Sequence, residues 1–144
     1  MIKPKLYFKD AKEANELLEE WKERLFLRDW HINLYFADEL ENNYAGQNES
    51  DFLNITSIIT MLTGRALKIK LDGAVQKQPQ EQILIHELLH SKIMSYEQDH
   101  PTIEGVLHDT IQHQTIEQLA KALYMAKYNL SYDWFNIKNY KEEK

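Results

Sequence analysis

The chain has 144 residues, 43% of them apolar and 28% charged, which suits one folded domain over residues 1–144 and excludes wholesale disorder. A net charge of −6 argues against a nucleic-acid or membrane-surface partner, because phosphate surfaces are held by clustered Lys and Arg. The absence of cysteine excludes disulfides and thiolate metal sites, and with neither a signal-like stretch in "MIKPKLYFKD" nor a long apolar run, a cytoplasmic location is expected.

Asp10 to Leu27 ("DAKEANELLEEWKERLFL") spaces Ala14, Leu17, Leu18, Trp21 and Leu25 along one helical face, with Glu and Lys opposite. Asp10 as N-cap and Glu13 three residues on make a capping-box pattern. In "WHINLYF", Trp30, Ile32, Leu34 and Phe36 alternate with His31, Asn33 and Tyr35, which predicts a strand with one buried face. "ADELENNYAGQNESD" reads as a polar loop. "FLNITSIITML" is rich in β-branched residues, Thr63-Gly64 signals a turn, and "RALKIKL" alternates again, so these segments predict a hairpin ending at Asp72-Gly73.

Pro79 suits the first turn of the next helix, and Glu81 lies favourably near that helix's positive end. The helix should run to about Tyr96 and stop at "EQDHP". Ile83, Leu84, Ile85, Leu88, Leu89, Ile93 and Met94 surround it almost completely, as in a central buried helix. A further helix from about Thr102 to Tyr128 carries the stripe Ile116, Leu119, Ala120 and Leu123. The tail from about residue 130 should pack Trp134, Phe135 and Ile137 on the body, while "KEEK" frays. The expected class is α+β: a small, mostly antiparallel sheet of about three strands, packed against an N-terminal helix, a central helix and a long following helix.

The central helix contains "ILIHELLHSK", which sets two imidazoles and a carboxylate inside an apolar run, where desolvation disfavours them unless they find partners. His86 and His90 are four residues apart and project from one helical face, a spacing at which both can reach a single Zn²⁺. Glu87 stands beside them, placed to take a proton from water on the metal rather than to ligate. A catalytic zinc normally has a third protein ligand. Glu97 lies about 10 Å along the same helix from His90, too far to share the ion. On the following helix, with Ile116 at 0°, His113 falls near about +60°, Glu117 near about +100°, Asp109 near about +20° and His108 near about −80°. His113 is the expected third ligand, with Glu117 orienting one of the histidines; Glu117 or Asp109 as the ligand are the alternatives.

With HELLH in place, the sequence resembles a minimal zincin metallopeptidase and is similar to small, often phage-encoded zinc peptidases over about Asp10 to Tyr128. In the gluzincin branch, the helix after H-E-x-x-H carries a Glu ligand followed four residues later by an acidic supporting group. Matched to that pattern, "HQTIE" puts His113 at the ligand place and Glu117 at the supporting place. Tyr96 stands where the metzincin type has its third histidine, and Ile93 where it has glycine. Lys92, at a place usually apolar in zincins, implies an exposed end to the active helix. The resemblance makes "RALKIKL" the edge that pairs with substrate backbone and asks for an oxyanion donor, for which Tyr96, Tyr124 and Tyr128 are available. The expected function is Zn²⁺-dependent hydrolysis of a protein or peptide substrate; the alternative is a non-catalytic zinc scaffold that binds a partner.

Overall fold

The computed structural model describes residues 3–41, 44–64, 67–69, 75–99 and 106–137, with backbone alone at 68–69, 94–99 and 106–111. Within them the architecture is α+β. Helix α1 spans Ala11–Arg24, followed by strands β1 (His31–Ala37), β2 (Gly46–Asp51), β3 (Thr56–Leu62), β4 (Leu67–Ile69) and β5 (Val75–Lys77), then helices α2 (Gln80–Asp99) and α3 (Val106–Tyr128). A short 3-10 turn, Tyr132–Phe135, closes the described chain. No helix among the described residues is long and apolar enough to cross a membrane.

Helix α1 is bounded by its own chemistry. Asp10 Oδ1 accepts from the Glu13 amide at 2.8 Å, while Glu13 Oε1 accepts from the Lys9 amide at 2.9 Å, so the capping carboxylate reaches one residue further back than in the usual box. The C-terminus is a Schellman motif: Leu27 N–H reaches the Lys22 carbonyl at 2.8 Å and Phe26 N–H reaches that of Glu23 at 3.3 Å. Phe26 occupies the left-handed position at φ 59°, a place that favours glycine. The same device ends α3, with Asn129 at φ 53° and Leu130 N–H on the Met125 carbonyl.

The three-stranded sheet has the order β1-β3-β2. β3 runs parallel to β1 and antiparallel to β2, and β4 pairs antiparallel with β5 in a separate ribbon. Two sequence expectations change here. Gly46–Asp51 was expected to be loop because it has no apolar alternation; it is a strand because β3 offers it a complete ladder. The hairpin is therefore β2–β3, and the "RALKIKL" strand leaves that sheet to pair with β5. The Asp72-Gly73 turn, the start of the last helix near Thr102 and the "KEEK" tail lie outside the described residues. α2 continues to Asp99, past the expected end near Tyr96.

The core gathers Leu18 and Trp21 of α1, Ile59 and Met61 of β3, Ile83 to Ile85, Leu88 and Leu89 of α2, and Ile116, Ala120 and Tyr124 of α3. Phe135 from the tail is buried among them, and Trp134 packs partly against them. The buried face of α3 is turned from the one expected. Leu119 is 43% exposed whereas Tyr124 is fully covered, which moves the face by about 50° on the helical wheel and brings His113 and Glu117 towards α2.

A buried carboxylate joins the three helices. Glu81, in the first turn of α2, accepts from Trp21 Nε1 of α1 at 2.8 Å, from Lys127 Nζ of α3 at 2.6 Å and from the Tyr128 hydroxyl. Lys127 also meets Glu20 of α1 at 2.8 Å. Removing one member of a buried, hydrogen-bonded ion pair leaves the other charge desolvated and uncompensated. Lys127→Met is therefore expected to lower folding stability by about 3 kcal/mol, read as a shift of the urea unfolding midpoint. A change within the error of that measurement would show that the cluster does not hold the helices together.

Candidate metal centre

Helices α2 and α3 run antiparallel, and successive cross-helix contacts pair Glu81 with Lys127, His86 with Glu117 and His90 with His113. The imidazoles of His86 and His90 project from one face of α2, and their Nε2 atoms lie 3.2 Å apart. His113 of α3 completes a group whose nitrogen donors all lie within 4.8 Å of one another. Two donors held by one tetrahedral zinc at 2.0–2.1 Å would be separated by about 3.3 Å. The α2 pair thus already has ligand spacing, and the exposed His113 side chain has to turn inward to complete it. Among the described residues this is the one group of His, Asp or Glu that could hold a metal ion.

The surroundings favour ligation chemically. Glu117 Oε2 sits 2.9 Å from His86 Nδ1, so Nδ1 carries the proton and the Nε2 lone pair is directed at the cluster. Burial, with the neighbouring His86 and His113, lowers the pKa of His90 to about 4, which keeps that imidazole neutral. A donor set of three imidazoles with no thiolate fits a borderline divalent ion such as Zn²⁺.

Glu87 is held separately from the histidines. It is 4% exposed, and burial, reinforced by the charge of Glu117 and opposed by that of His86, pushes its pKa up to about 7. Its Oε2 is buried with no hydrogen-bond partner, an uncommon state for a carboxylate oxygen. The backbone around it is pinned by β2: Asn48 Nδ2 donates to the Glu87 carbonyl at 2.5 Å and to Ser91 Oγ at 2.8 Å. Ser50, Ser57 and Ser91 then close a ring of hydroxyl contacts at 2.7 to 3.1 Å between the sheet and α2. Against the side chain lies Gly46, where an added Cβ would stand 3.2 Å from Glu87 Cγ and 3.1 Å from Ile83 Cγ2.

The group opens into a cavity of about 760 Å³, with His86, Glu87, His90, His113 and Glu117 along one side and β2 along the other. β2 is an edge strand of the described sheet, so the edge bordering the site is "GQNESD". The resemblance assigns that role to "RALKIKL", of which Leu67 is the one residue with a described side chain, and Leu67 is not part of the cavity lining. Tyr124 and Tyr128 are not poised at the site either: their hydroxyls go to the Lys5 carbonyl and to Glu81. The Tyr96 and Asp109 side chains lie outside the described residues. Among the described residues the tyrosine in the cavity wall is Tyr44, which sequence reasoning missed along with Gly46 and Asn48. The single glycine in "NNYAGQN" was the available signal. Lys92 is exposed, as expected.

No protein-family model matches the chain, and neither a curated protein nor a solved structure does.

Gly46→Ala is expected to crowd Glu87 and Ile83 and to cost about 1–3 kcal/mol of stability, measured by chemical unfolding, while leaving metal stoichiometry intact. Unchanged stability would mean that the close approach of β2 to α2 relaxes freely.

Proposed function

We propose that the protein is a zinc-dependent peptidase, with His86, His90 and His113 as metal ligands and Glu87 as the catalytic base. The observation that carries this reading is the pairing of a three-imidazole cluster with a buried, unpartnered carboxylate oxygen on the wall of an open cavity. A divalent ion bound there would polarise a scissile carbonyl and acidify a water molecule. Glu87, with its affinity for protons raised by burial, takes the proton from the attacking water and passes it to the leaving amine. Glu117 holds the His86 ring in the tautomer that presents Nε2. The edge of β2, which no described strand covers, offers main-chain groups to an extended substrate.

A zinc scaffold that only binds a partner would share the histidines but require no proton transfer from Glu87. The two readings separate in one variant. Glu87→Gln should keep one zinc per chain and lose peptide hydrolysis by about 10²–10⁴-fold. Persistence of hydrolysis in that variant, or its absence from the zinc-loaded wild type, would remove the catalytic reading. His86→Ala, His90→Ala and His113→Ala should each abolish stoichiometric zinc, whereas Glu117→Gln should weaken affinity by about 10–100-fold. Both are read by competition with a chromogenic chelator, and full zinc occupancy in any of the three histidine variants would exclude that residue as a ligand.

A further inference from the structure

A second cavity, of about 480 Å³, adjoins the first and shares Gln78, Gln82 and Glu117 with it. Its chemistry runs against the acidity of the chain as a whole. Lys77 of β5 and Lys121 of α3 both line it. The Lys77 ammonium lies 4.2 Å from the Trp134 ring centre, and that of Lys121 lies 4.1 Å from Tyr132 and 4.5 Å from Phe135. Aromatic faces hold these cations in place without neutralising them. Among the described residues neither lysine forms an ion pair, and the carboxylate in the lining, Glu117, is engaged with His86. Gln82, 5% exposed on the wall common to both cavities, has a side-chain carbonyl oxygen with no hydrogen-bond partner.

Two like charges drawn towards one cavity repel each other unless an anion enters between them. That demand is met by a carboxylate on a polypeptide segment that passes along the wall shared by the two cavities. We propose that the second cavity is a specificity subsite for a carboxylate on the bound peptide, held by Lys77 and Lys121. The proposal rests on the peptidase reading for its substrate class. It sets the preferred substrate as a peptide with an acidic side chain, or a chain-terminal carboxylate, near the bond that faces Glu87.

The test separates binding from catalysis. Zinc-loaded Glu87→Gln protein is titrated with capped alanine decapeptides carrying a single Glu walked through successive positions, and with a matching set carrying Gln. A third set, Gln peptides with a free C-terminus, distinguishes a terminal carboxylate from a side-chain one. At one register the Glu or free-terminus peptide should bind about tenfold or more tightly than its neutral counterpart. That ratio should collapse towards one in Lys77→Met and in Lys121→Met, and Lys121→Glu should turn the preference towards a peptide with Lys at that position. Equal affinity for the acidic and neutral sets, or no measurable binding of either, overturns the proposal. The wild-type enzyme on the same peptides decides the peptidase reading independently: cleavage without acidic preference leaves that reading standing and removes this one.

Discussion

The arrangement of this protein depends on a carboxylate that has been taken out of water. Glu81 is covered by the body of the molecule and would be strongly destabilising alone. It is tolerated because α1 gives it an indole N–H and α3 gives it an ammonium and a phenol. Those donors come from fixed points on two other helices, so satisfying Glu81 also sets the register of α3 against α2. One register brings Lys127 to Glu81; on antiparallel helices, the same register brings Glu117 to His86 and His113 to His90. The distance from the structural ion pair to the histidine cluster is a few helical turns of rigid backbone, which transmit the alignment without flexible parts.

The polar groups on the other side of α2 are organised differently. Ser50, Ser57, Ser91 and Asn48 satisfy one another in a closed network between the sheet and the helix. Glu87, one turn away, is left with an oxygen that nothing satisfies. The contrast is informative, because a fold able to saturate four neighbouring polar side chains has no general difficulty in doing so. Leaving a buried carboxylate oxygen unsatisfied is a local cost, and the side chain that bears it lines the cavity beside the histidines. Gly46 belongs to the same design: the absence of a side chain lets β2 approach closely enough to wall the cavity while leaving Glu87 its place.

The two cavities differ in what they ask of a ligand. The first is bordered by imidazoles, carboxylates and part of β2. The second lies past Gln82 and is framed by lysines on aromatic rings, the feature on which its proposed preference for a carboxylate rests. The C-terminal segment supplies Tyr132, Trp134 and Phe135 to that frame. Packing of the tail therefore does more than cover apolar surface; it positions the cations beside the cavity that the histidine cluster lines.

The sequence by itself determined the elements whose signals are local. Asp10 and Glu13 cap α1, the apolar surround of "ILIHELLH" makes α2 a central helix, and the spacing of His86 and His90 puts both rings on one face. The i, i+4 spacing of His113 and Glu117 also made them a plausible pair from the sequence. Only the tertiary structure decided the rest. "GQNESD" carries no strand period, and it becomes β2 because β3 needs a second partner; that choice puts residues 46–49 in the wall of the cavity. The facing of α3 was misjudged because Leu119 and Tyr124 are both apolar enough to be buried, and the contact of Tyr128 and Lys127 with Glu81 selects the rotation that covers Tyr124. Periodicity reports which residues can share a face. Which face meets which neighbour is settled by groups distant in sequence that must be satisfied together once water is excluded.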